Sequence, residues 1–106
     1  MTEEDQSKEI FIGDKKLGNY VKALKYRLNE LEEASAVARG KFITKAVDSV
    51  EILKREEDIE VTDIRTTTDS DENEDGSTYS VSKIVIDVEG EVDFDPHSDE
   101  EDEESE

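Results

Sequence analysis

The sequence predicts an α+β domain of order β-α-β-α-β-β. Two helices cover one face of a four-stranded mixed sheet in a two-layer sandwich, and a β-hairpin protrudes. Three observations predict it. Two stretches carry apolar residues at three- and four-residue spacing, the pattern of a helix with one buried face. Four short runs around them are strand-like, three of them rich in β-branched residues. Asp75-Gly76, a hairpin-turn dipeptide, separates the last two runs.

Lys8–Ile12 (KEIFI) reads as a short strand, closed by Gly13-Asp14. From Leu17 the period changes: Leu17, Tyr20, Val21, Leu24, Leu28 and Leu31 line one helical face, with Lys22, Lys25 and Asn29 on the other side. Gly18 weakens the first turn and admits close backbone approach. The small residues of Ala34–Ala38 (ASAVA) suit a strand buried on both faces, and Arg39-Gly40 turns the chain. Ile43, Ala46, Val47, Val50 and Leu53 mark a second amphipathic helix ending near Glu57. Asp58–Thr68 and Tyr79–Val88 are the two strands of the hairpin. Their alternation slips between Val61 and Ile64 and again between Val81 and Ile84, as a bulge in each strand would produce. Thr68–Ser77 (TDSDENEDGS) forms the tip, with five acids and no base.

The 106 residues suffice for one small domain, placed at 8–90, between a polar segment at 1–7 and an acidic tail at 91–106, both expected to be disordered. A core this thin makes a second copy of the chain the natural source of further burial. There is no Cys, and the lone His97 lies in the tail, so no nucleophile–base pair can be assembled and no enzyme is expected. Nothing calls for a cofactor, a metal or a small-molecule substrate. Asp71, Asn73, Asp75 and Gly76 match the first half of a calcium loop, but the twelfth position is Ser82 instead of Glu, and a solvated hairpin tip is the simpler reading. No apolar run reaches the roughly 20 residues that span a bilayer, and the N-terminus is no signal peptide; a soluble cytoplasmic protein is expected.

The net charge of −19 is segregated. Residues 8–65 hold twelve acids and twelve bases, whereas residues 66–106 hold seventeen acids and only Lys83 as a base. Within the balanced body, two stretches combine what a phosphate needs: cations, glycine and a helix start. "GDKKLGNY" supplies Lys15 and Lys16; "ARGKF" supplies Arg39, Gly40 and Lys41. Asn19 either orients the first loop or reaches a phosphate. Tyr20 has core spacing with Leu17 and Leu24, and competes between packing and stacking on a ligand.

"IFIGDKKLGNYVKAL", "ARGKFITKAVDSVEIL", "IEVTDIRT" and "VSKIVIDV" together resemble the Alba family of archaeal chromatin and RNA-binding proteins, in the same element order over about residues 8–90. The resemblance implies a homodimer that binds double-stranded DNA or RNA with little sequence preference, at the chromosome. It implies backbone contacts from the loop before the first helix and from the start of the second, with hairpin arms in the minor groove. Carried over residue by residue, Lys15, Asn19, Tyr20, Arg39, Gly40 and Lys45 match family positions, and Lys41 stands where a second arginine is usual. Asp14 replaces the first lysine of a usual pair, with Lys16 following Lys15. The connection KREEDIE lacks an aromatic often found there, and the hairpin is acidic where the family's is basic.

Acid on such an arm has a reading in salt. The Debye length is about 3 Å at 1 M, so carboxylates there barely repel a duplex, while acidic surfaces keep a protein soluble. A salt-loving archaeal source is the expectation. A second expectation is that the tail folds back over the basic loops. The alternative function is an acidic adaptor, or nucleic-acid mimic, that has lost duplex binding and contacts a basic protein.

Overall fold

The structure, a computed structural model, describes residues 7–94; the expectations for residues 1–6 and for 95–106, His97 included, lie outside the described residues. The elements run β1 (Glu9–Phe11), α1 (Leu17–Leu31), β2 (Glu33–Arg39), a 3-10 turn (Gly40–Phe42), α2 (Ile43–Glu56), β3 (Glu60–Glu72) and β4 (Thr78–Glu89). The sheet order is β1-β2-β4-β3, with β1 parallel to β2 and the other pairs antiparallel. The expected β-α-β-α-β-β sandwich with a mixed sheet and two helices is the fold observed.

Register explains which face the helices cover. Ala34, Ala36 and Ala38 stand opposite Val88, Ile86 and Ile84, and all six join one core with Tyr20, Leu24 and Leu28 of α1 and Ala46, Val50 and Leu53 of α2. Alanine at three successive inward positions lets both helices sit close to the sheet, where large apolar side chains of α1 and α2 fill the space. Ser35 and Val37 alternate to the opposite face yet are also buried, as expected of ASAVA.

The arm departs most from expectation. Its strands continue to Glu72 and restart at Thr78, so only Asn73–Ser77 is turn, and the Thr68–Ser77 tip shortens by half. Asn73 N–H donates to the Ser77 carbonyl, and Asp75 accepts from both the backbone N–H and the hydroxyl of Ser77. Those bonds lower the Asp75 pKa and commit its carboxylate to closing the turn. Among the described residues the hairpin has one bulge, between Val61 and Asp63, where Thr62 is the extra residue. β4 has none: Val81 belongs to the face opposite Ile84 and lies 3.6 Å from where a Cβ on Gly40 would stand.

Two further corrections concern packing. Nothing lies within 4 Å of a Cβ on Gly18, so that glycine serves no close approach between described parts of the chain. The packed body does not stop at residue 90: Val92 is 4 % exposed within the core, Phe94 packs against it, and Asn29 Nδ2 donates to the Val92 carbonyl at 2.8 Å. Gly90 makes the turn into this segment against the start of β3. A Cβ there would stand 2.8 Å from Ile59 Cγ2 and 3.0 Å from the Asp58 carbonyl oxygen. Backbone cannot yield as a side-chain tip does, so Gly90→Ala is expected to destabilise by about 1–3 kcal/mol, read as a lowered thermal midpoint in calorimetry.

Candidate nucleic-acid interface

Parallel pairing of β1 with β2 sends both strands out of the same edge of the body, so the loops that follow them, 12–16 and 39–42, are neighbours. Arg39, the last residue of β2, stands opposite Lys83 of β4, and β4 before Lys83 pairs only with β3. The arm therefore leaves the body from the same end. Three elements distant in sequence meet there: two basic loops and an acidic hairpin.

The first loop is held from beneath. Tyr20, buried in the core, accepts hydrogen bonds through its hydroxyl from the N–H groups of Gly13 (2.9 Å) and Lys15 (3.0 Å). Lys45 reaches across from α2 and donates to the carbonyls of Gly13 (2.9 Å) and Lys15 (2.7 Å), with its ammonium also near the rings of Tyr20 and Phe42. Lys45 therefore ties the start of α2 to the first loop. Both residues, anticipated as contacts, hold the backbone of the first loop, and Tyr20 is also packed in the core. Tyr20→Phe removes the acceptor of two N–H groups. It is expected to cost about 1–3 kcal/mol of stability in urea unfolding while leaving every surface charge in place.

Lys15, Lys16 and Lys41 are exposed and form no ion pair with another described residue, although Lys41 lies 5.4 Å from the Phe42 ring. Neither helix start carries a side-chain cap or an acid in its first turn, so no side chain of either first turn competes with an incoming anion. Asn19 sits in the first turn of α1, where its N–H donates to the Lys16 carbonyl. Gly40, with φ +56°, takes a left-handed conformation that side chains resist, and it turns the chain from β2 into the 3-10 turn that presents Lys41.

Arg39 differs. Its Nε lies 3.2 Å from an Asp69 carboxylate oxygen, and its Nη2 donates to Asp71 at 2.6 Å. The hydrogen bond to Asp71, and then the charges of Asp71 and Asp69, raise the guanidinium pKa against the opposing effect of burial. Periodicity and composition gave no sign of this contact, which depends on cross-strand register. Elsewhere on that face, burial pushes the Asp87 carboxyl up, but the Ser35 hydroxyl at 2.5 Å and Arg65 at 2.9 Å outweigh it and hold the pKa below the usual range.

On the helical side, α2 and the arm leave a groove of about 160 Å³, bounded by Val47, Val50, Glu51, Lys54, Val61, Ile64, Ile84 and Ile86. Val47 is 39 % exposed and Ile64 59 %.

A protein-family model described as Alba matches residues 8–68. DNA/RNA-binding protein Alba 1 of Archaeoglobus fulgidus is 39 % identical over 80 residues, 73 % of this chain and 89 % of that protein. DNA/RNA-binding protein Alba of Methanocella arvoryzae is 36 % identical over 80 residues, 73 % of this chain and 83 % of that one. Among solved structures, Alba from Thermoplasma volcanium superposes with a TM-score of 0.71 at 35 % identity, over 77 % of this chain and 99 % of that one. ALBA1 from Trypanosoma brucei does so with a TM-score of 0.67 at 26 % identity, over 88 % of this chain and 77 % of that one.

Proposed function

The chain belongs to the Alba family, and from that premise we propose that it binds double-stranded DNA or RNA without sequence preference, as a homodimer that serves chromosome packaging or RNA handling. The observation that carries the reading is the convergence of two basic loops at one end of the sheet. Lys15, Lys16 and Lys41 stand exposed there, the first two on a loop whose backbone Tyr20 and Lys45 hold. Contacts of this kind engage phosphates, not base edges, so they carry affinity and no sequence code. Asn19 and Arg39 belong to the same surface; Arg39 is engaged by the arm in the free protein.

Dimerisation is proposed through the groove between α2 and the arm. Val47 and Ile64 are apolar and exposed at its mouth, and Glu51 and Lys54 lie along it as an opposite-charge pair. A surface that carries both signs beside an apolar centre can complement itself about a two-fold axis.

The acidic arm suits work at high ionic strength, where its charge is screened. Gel-shift titrations with sequence-matched DNA and RNA duplexes, from about 0.1 to 3 M KCl, test the function and its salt range together. Similar affinities for unrelated sequences, weakening with salt but persisting at the upper end, are expected. No shift by any duplex at the lowest salt defeats the function, and capture of cationic proteins by the same preparation then favours an acidic adaptor. Binding confined to low salt defeats the halophilic reading alone.

A further inference from the structure

Arg39 is the one cation of the two loops that forms an ion pair with another described residue, and the residues that hold it come from the arm. The engagement follows from register. After the bulge at Thr62, Thr67, Asp69 and Asp71 stand opposite Lys83, Val81 and Tyr79. Arg39 also stands opposite Lys83, so its side chain and those of Asp69 and Asp71 share one face of the sheet. β2 ends at Arg39, so nothing paired to β4 separates the guanidinium from the arm beyond that point. Both partners stay wet: the Arg39 side chain is 42 % exposed, Asp69 37 % and Asp71 38 %. Exposed ion pairs of this kind are weak and screened by salt, so the contact competes with a ligand and does not exclude it.

We propose that Asp69 and Asp71 are a built-in competitor for the phosphate site at Arg39, an autoinhibitory latch that a nucleic-acid backbone must displace. The proposal rests on the duplex-binding reading above. A guanidinium presents the same two-pronged donor face to a carboxylate as to a phosphate, so the hydrogen bond to Asp71 and the Asp69 carboxylate 3.2 Å from Nε compete for the face that a phosphate takes. The latch has a consequence in salt. Rising salt weakens the phosphate contact and the internal contact together, so Arg39 contributes less to the salt dependence than a free cation does. The latch therefore flattens the fall of affinity as salt rises.

The test uses the full chain and a short fluorescent DNA duplex of mixed sequence, followed by anisotropy across a KCl series. Asp69→Asn with Asp71→Asn keeps side-chain shape and removes both charges. This variant is expected to bind about three- to tenfold tighter than the wild type near 0.1 M salt, with a log K against log salt slope steeper by roughly 0.9, and to converge with it near 1 M. Glu72→Gln with Glu74→Gln removes the same charge from the same arm at residues that do not touch Arg39, and should gain clearly less. In an Arg39→Gln background the two pairs of substitutions should become equivalent. Equal gains from the two pairs in the native background would overturn the latch, because the arm would then act only through its overall charge. Binding by the wild type with no gain in the Asp69/Asp71 variant overturns the latch alone. No binding by any of these proteins at any salt overturns the function, and with it the latch.

Discussion

Replacing Lys15, Lys16, Arg39 and Lys41 together by alanine is expected to weaken duplex binding by roughly three orders of magnitude near 0.1 M salt. Counterion release makes each phosphate contact worth just under a factor of ten at about 0.1 M relative to 1 M, so four contacts carry three to four decades. Arg39 contributes the least of the four, because its gain is net of the contact it gives up to Asp69 and Asp71. The slope of log K against log salt should become shallower by about 3. Folding should survive: the three lysines form no ion pair with another described residue, and the Arg39 pairs are solvent-exposed, where such contacts contribute little. A control removes Lys8 and Arg55, which lie just before β1 and near the end of α2, away from the loops. That control should bind like the wild type. Isothermal titration together with circular dichroism on each variant separates lost contacts from lost fold. Undiminished affinity in the four-residue variant would remove the two loops from the interface.

The body of this fold was legible because its patterns are dense. Leu17 to Leu31 and Ile43 to Leu53 repeat apolar residues often enough to fix helix, face and extent, and ASAVA announces a doubly covered strand. The arm was not, since Asp69–Glu72 is polar on both faces and no alternation survives to mark a strand there. The two slips in alternation had different causes that look alike in sequence. At Val61 the chain inserts a residue; at Val81 an apolar side chain belongs to the other face, beside Gly40. The bulge decides more than curvature. A one-residue slip would carry Asp69 and Asp71 to the helical face, away from Arg39. The two loops were legible from composition, but their proximity follows from the parallel pairing of β1 and β2, and the engagement of Arg39 from a register that no local pattern encodes. Lys45 shows the same limit. A lysine one turn into a helix looks like a contact, and only the fold reveals that its ammonium is committed to two carbonyls of the first loop.

The second large effect concerns assembly. If the protein pairs through the groove as proposed, Val47→Asp with Ile64→Asp is expected to leave monomers in light scattering at micromolar concentration. Both side chains are exposed in the single chain, so an aspartate at either position meets water and leaves the core of Leu24, Leu28 and Leu53 untouched. In a dimer the same positions are desolvated, and carboxylates brought face to face about a two-fold axis, without partners, oppose association strongly. Duplex binding should fall with assembly. Two pairs of loops on one rigid particle make the second contact intramolecular, an advantage of about 10²–10⁴ that a monomer forfeits although each loop is intact. Phe11→Asp provides the counter-test, because Phe11 is 67 % exposed on the sheet face that the helices leave open. If that substitution yields monomers while the Val47/Ile64 variant keeps the wild-type mass, the copies pair through the open sheet and the groove beside α2 is not the interface. If the wild type itself scatters as a monomer, the chain presents one pair of loops per particle. Its affinity should then match that of the Val47/Ile64 variant near 1 M salt, where the two added carboxylates are screened to a Debye length of about 3 Å.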